Sequence, residues 1–126
     1  MVVRSARHSK YNINYHLVWI PKYRDPVLTG EVANHLLDIL HTIAEKKDVE
    51  ILSLEIMPDH IHLFVSSPPQ HAPSLLVNWF KGISARMFNY WHNEAHIKWT
   101  NSYYVGTAGT VTAETIKKYI ETQKSK

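Results

Sequence analysis

Two histidines separated by one residue, His60 and His62, are the side chains best placed to hold a metal ion. They sit in the segment Met57-Pro58-Asp59-His60-Ile61-His62-Leu63-Phe64-Val65. Successive side chains on a β-strand point to opposite faces, so His60 and His62 share one face while Ile61, Leu63 and Val65 take the other. Neutral imidazoles arranged in this way can ligate a divalent cation. The same spacing fits a partly solvated strand with two outward polar residues, and spacing alone does not separate the two readings. Asp59 suits either a turn or a hydrogen-bonding partner for a ligating histidine. Near the C-terminus, Thr115-Ile116-Lys117-Lys118-Tyr119-Ile120-Glu121-Thr122-Gln123 places Tyr119 and Gln123 four residues apart on one helix face. A tyrosine phenolate can displace an alcohol at a phosphodiester, and an amide oxygen can complete the coordination of a hard cation. Ile116, Tyr119, Ile120 and Gln123 also form an amphipathic stripe on which Tyr119 could simply pack.

These residues need elements to position them. Tyr11, Ile13, Tyr15, Leu17 and Trp19 alternate with Asn12, Asn14 and His16, the period of a strand ending near Pro21. Thr29 can cap a helix with Val32, Leu36, Leu37, Leu40, Ile43 and Ala44 on one stripe. Val49 to Met57 and His60 to Ser66 read as an antiparallel hairpin broken at Pro58-Asp59. Pro73 suits the first turn of a long helix carrying Leu76, Trp79, Phe80, Ile83, Met87 and Tyr90-Trp91. Trp99 to Val105 reads as a fourth strand, and a last helix runs from about Thr112 to Gln123. The order β-α-β-β-α-β plus a helix predicts an α+β, ferredoxin-like or RRM-like fold. In it, helices cover one face of a four-stranded antiparallel sheet and leave the other open for chemistry or single-stranded nucleic acid.

Composition narrows the chemistry. A chain of 126 residues is one domain, residues 1–126, and its polar, basic first ten residues read as a loose arm. With no cysteine there is no thiolate site, so any metal must take nitrogen and oxygen ligands, and a cytoplasmic setting is expected. No apolar run approaches the roughly 20 residues needed to span a bilayer. A net charge of +3 permits nucleic-acid binding without demanding it. Lys22, Arg24, Lys81 and Arg86 are the candidate phosphate contacts, though each equally suits a solvated basic rim. The remaining histidines, His16 among them, show no ligand-like spacing, and Tyr103 and Tyr104 fit strand packing better than nucleophilic attack.

Taken in order, the motifs resemble the single-tyrosine HUH transposases of the IS200/IS605 type. Met57 to His62 is similar to the family's metal motif, and Tyr119 to Gln123 to its nucleophile helix. Between and before them, Trp19 to Leu28, Ser74 to Arg86 and Trp99 to Gly109 resemble further family segments, so the likeness covers roughly residues 11 to 123. The resemblance implies that His60 and His62, with Gln123, bind Mg²⁺ or Mn²⁺. It implies that Tyr119 forms a 5′-phosphotyrosine bond to single-stranded DNA at hairpin-marked element ends. It also implies a homodimer in which the tyrosine helix of one subunit completes the site of the other, with Gly106 and Gly109 as a pliable tether. Two other readings remain. One is a related HUH nickase that processes repeat hairpins. The other is a non-catalytic binder of single-stranded nucleic acid that uses Tyr11, Tyr15 and Trp19 on the sheet face.

Overall fold

The computed structural model describes residues 4–6, 9–11, 13–92, 96–107 and 113–122. A short hairpin, β1 (Arg4–Ala6) and β2 (Ser9–Tyr11), precedes the domain. The arm expected over the first ten residues is therefore partly strand. The domain proper contains β3 (Asn14–Trp19), α1 (Gly30–Lys46), β4 (Glu50–Met57), β5 (His60–Ser66), α2 (Pro73–Trp91), β6 (Tyr104–Thr107) and α3 (Ala113–Thr122). Its four strands form one sheet in the order β4-β5-β3-β6, every neighbouring pair antiparallel. This is the predicted α+β architecture.

Alternation along the strands decides what each face does. Leu17, Trp19, Ile61, Leu63 and Val65 point toward α1 and α2 and are fully buried with Leu36, Leu40, Leu76 and Phe80. Each such side chain contributes about 1.5–3 kcal/mol through burial. Trp19 stacks on Phe80 with ring centroids 6.5 Å apart and meets the edge of Trp99 at 6.0 Å. Trp19 thus lies under the helices, and Tyr15 packs against the same core, so neither offers the exposed platform of the binder reading. The side chain of Tyr11 lies outside the described residues. On the opposite face Val18 and Ile20 are buried by Ile120 of α3, with Ile116 and Tyr119 beside them.

Three local expectations need correction. Thr29 stands at the N-cap position of α1, but its side chain makes no capping hydrogen bond. β6 starts at Tyr104 rather than Trp99, whose only strand-like pairing is an isolated bridge to Pro21. Two extra residues separate that bridge from the Val18–Tyr104 pair, and in this stretch the Lys81 ammonium donates to the carbonyls of Thr100 and Ser102 at 2.7 and 3.1 Å. Gly106 lies within β6 opposite His16 and is no tether there, while Gly109 lies outside the described residues.

Candidate active site

His60 and His62 occupy the face of β5 turned away from the α1/α2 core, half-buried, as the alternation requires. The imidazole of His60 is held at Nδ1 by Asp59 Oδ1 at 2.9 Å. If Nδ1 carries the proton, the Nε2 lone pair is left for a ligand. Arg24 braces this contact: its Nε lies 3.6 Å from Asp59 Oδ2, and its guanidinium donates to the Ile120 carbonyl at 3.4 Å. That carbonyl is among the last of α3, where helical acceptors lack intrahelical partners. A turn with left-handed backbone at Tyr23 (φ 63°) and Arg24 (φ 55°) brings the guanidinium there. Such a conformation costs non-glycine residues about 1–2 kcal/mol each and persists where the surroundings hold it.

His62 has a partner that its sequence spacing gives no hint of. Its Nε2 lies 2.7 Å from Nδ1 of His16 on β3, and its Nδ1 is 3.9 Å from the exposed carboxylate of Glu55. His16 in turn stacks on Phe64 at 4.2 Å. The signal was there in part: His16 alternates out of phase with Leu17 and so had to share the open face. Burial lowers the pKa of both imidazoles, with the neighbouring histidine adding to the effect at His16, whereas the Glu55 carboxylate opposes it at His62. Neutral imidazole, the ligating form, is therefore favoured.

Tyr119 reaches the other edge of the same face. Its hydroxyl is 3.0 Å from the hydroxyl of Ser102, and its ring lies 6.0 Å from that of Tyr104. Burial raises the phenol's pKa, and the Ser102 hydrogen bond only partly opposes this. The ladder gives the scale of the separation. Val18 pairs with His62 on one side and Tyr104 on the other, so the histidine strand and β6 are two strand spacings apart, roughly 10 Å. Between them, a cleft of about 340 Å³ is lined by Arg24, Asp59, His60 and the α3 residues Ile116, Lys117, Ile120 and Glu121.

Residues 9–123 match the family model described as "Transposase IS200 like". The chain belongs to the IS200-like transposase family. It is 40% identical to the ISDra2 transposase TnpA of Deinococcus radiodurans, an alignment covering 98% of this chain and 93% of that protein. It is 35% identical to the IS200 transposase of Salmonella typhimurium over 95% of this chain and 82% of that protein. A transposase crystal structure from Deinococcus radiodurans superposes with a TM-score of 0.86 at 37% identity, covering 98% and 99% of the two chains. The fold is shared more distantly with a REP-associated tyrosine transposase bound to a REP hairpin (TM-score 0.59, 13% identity, 94% and 69% covered).

Within this transposase, the structure links Arg24, Asp59 and His60 on one side and His62 and His16 on the other, with α3 beside the first group. Gln123 lies outside the described residues. Among the described residues no group of three His, Cys, Asp or Glu side chains is gathered for a metal. Lys81, expected at a phosphate, is buried against carbonyls instead. Arg86 is exposed on α2, in the helical layer on the far side of the sheet from the histidines. Arg24 is already engaged by Asp59, while Lys22 lines a separate cleft beside Ser102. No helix among the described residues is long and apolar enough to cross a membrane.

Proposed function

We propose that this transposase nicks and rejoins single-stranded DNA at hairpin-marked element ends through a covalent bond to Tyr119. The observation that carries the reading is the pairing of His60 and His62 on the sheet face over which the chain lays its tyrosine-bearing helix. His60 and His62 would hold Mg²⁺ or Mn²⁺, with Gln123 as the amide ligand. His60 suits this role because Asp59 occupies one ring nitrogen and leaves the other available. At His62 the bond to His16 must open, or the other ring nitrogen must serve. A divalent cation there would polarise the non-bridging oxygens of the scissile phosphate and stabilise the charge that develops on them.

The residues of the chain then have separate tasks. The phenol oxygen of Tyr119 bonds to phosphorus, the bond from phosphorus to the 3′ oxygen breaks, and that oxygen takes a proton from solvent to leave as a free 3′-hydroxyl. The phenol proton passes to solvent. The phosphotyrosine retains the energy of the broken diester for rejoining. Arg24 and Asp59 keep His60 oriented, and α3 limits water over the site. The hydroxyl of Tyr119 is hydrogen-bonded to Ser102 rather than to a residue of the histidine cluster. This supports a nucleophile delivered from a second copy, with two chains exchanging α3 in a homodimer.

The test is incubation with single-stranded DNA bearing the hairpin from the element's own flanks, with Mg²⁺ or Mn²⁺. A DNA–protein adduct that survives denaturation is expected from the wild type and absent in Tyr119→Phe and His60→Ala. A mixture of those two inactive variants should regain adduct if the tyrosine acts across a dimer. Absence of adduct from the wild type with its own hairpin overturns the nickase reading.

A further inference from the structure

The geometry points to a second nucleic-acid site on this chain, a phosphodiester cradle between Lys22 and Lys98 that runs up to the resting position of Tyr119. This inference rests on the reading of the protein as acting on single-stranded DNA.

A cleft of about 310 Å³ is lined by Lys22, Lys98, Trp99, Thr100, Asn101 and Ser102. The antiparallel bridge between Pro21 and Trp99 sets Lys22 and Lys98 at facing positions, and the Lys22 amide donates to the Lys98 carbonyl at 2.8 Å. Like charges facing each other across an antiparallel pair are destabilising. Among the described residues neither lysine has a carboxylate partner within ion-pair distance. An anion between them removes the repulsion.

The floor of the cleft is built rather than incidental. The Thr100 amide donates to the Ile20 carbonyl at 3.0 Å, and the buried Lys81 ammonium draws the carbonyls of Thr100 and Ser102 inward. The Ser102 amide is taken by the Thr100 hydroxyl at 3.1 Å. The lining therefore gathers two lysine side chains with the donor groups of Asn101, Thr100 and Ser102, and the Lys22 ammonium rests 5.4 Å from the Tyr23 ring centroid. That chemistry fits the oxygens of a phosphodiester. Ser102 belongs both to the cleft and to the hydrogen bond with Tyr119. A strand lying in the cradle therefore abuts the nucleophile's resting place and is separate from the cleft at His60.

The experiment uses a fluorescein-labelled oligothymidylate and the full chain in EDTA, so that no nicking occurs, with affinity read by anisotropy across a salt series. Single-stranded binding loses about 0.7 in the slope of log affinity against log salt for each phosphate contact removed. Lys22→Gln/Lys98→Gln is expected to bind more weakly and to flatten the slope by about 1.4. Between about 50 and 200 mM salt its affinity then falls about sevenfold less than that of the wild type. Asn101→Asp, which adds a negative charge to the cradle without touching either lysine, should also weaken binding. Lys46→Gln/Lys47→Gln removes the same charge at the end of α1 and should leave the slope near the wild-type value. Unchanged affinity and slope in the cradle variants, or an equal loss in the α1 variant, overturns the inference. If the wild type forms its phosphotyrosine adduct while the cradle variants bind normally, this inference fails and the proposed function stands. If the cradle behaves as expected but no adduct forms, the failure is that of the proposed function alone.

Discussion

Lys81→Met tests whether one buried ammonium organises the loop on which Tyr119 rests. Lys81 keeps only 9% of its surface exposed and donates to the carbonyls of Thr100 and Ser102 at 2.7 and 3.1 Å. Hydrogen bonds from a charged donor contribute about 1.5–3 kcal/mol each, and methionine leaves both carbonyls without that donor. Burial also lowers the lysine's pKa, so desolvation of the ammonium cancels part of the gain. A net loss of about 2–4 kcal/mol follows from two bonds less that cost. For a chain of this size the loss lowers the melting temperature by roughly 6–16 °C. The assay is urea and thermal unfolding followed by circular dichroism, where the urea midpoint should fall with little change in its slope. The variant should also form adduct more slowly than its residual folded fraction explains, since Ser102 loses one of the bonds that hold it. A stability change below about 1 kcal/mol would falsify the claim that Lys81 is a structural cation.

Asp59→Asn should weaken Mn²⁺ binding by about ten- to a hundredfold, because it removes the carboxylate that orients His60, and calorimetry on the Tyr119→Phe background reads this without nicking. Equal affinity in the two proteins would show that Asp59 is a plain turn residue. His16 and His62 both titrate below their ordinary value of 6.5 in the fold, so as pH drops past 6.5 the unfolded chain takes up protons before the folded one. Stability should therefore be fully present above that value and decline below it, and His16→Gln should show a shallower decline in melting temperature between about pH 7 and pH 5. A wild-type profile flat over that window contradicts the assignment. Ser84→Ala deprives the buried Trp99 indole N–H of its acceptor at 3.2 Å and should cost about 1–3 kcal/mol in chemical denaturation. A neutral result would mean that the indole finds another acceptor.

Those residues also mark where sequence reasoning reached its limit. The strand period places His60 and His62 together and Ile61, Leu63 and Val65 opposite them, because side-chain direction along a strand depends only on local backbone geometry. The stripes of α1 and α2 are legible for the same reason, as is the four-stranded order built on them. What escapes are the partners that come from a distant part of the chain. His16 meets His62 from 46 residues away, Arg24 reaches Ile120 across 96, and Lys81 crosses to the carbonyls of Thr100 and Ser102. Lys81 looks like a surface cation because lysines are almost never fully buried unless paired, and its partners are backbone atoms that leave no trace in the residue types. The late start of β6 is a register shift that residue types do not reveal: Pro21 faces Trp99 but Val18 faces Tyr104, so two extra residues lie between the bridge and the strand.

The two faces of the sheet carry different burdens, and this separates damage to the fold from damage to the site. Trp19, Ile61 and Leu63 are fully buried on the α1/α2 side, so truncating one opens a cavity and costs about 2–5 kcal/mol wherever the site stands. The opposite face holds Val18, Ile20 and Ile120 under a helix of ten residues, with hydrogen bonds from Arg24 and Ser102 at its margins. An isolated helix of that length is marginal in water, so α3 keeps its place through packing against the sheet. Lifting it uncovers His60 and releases Tyr119 from Ser102 without opening the core between the sheet and α1 and α2. Such an element suits the movement proposed for Tyr119.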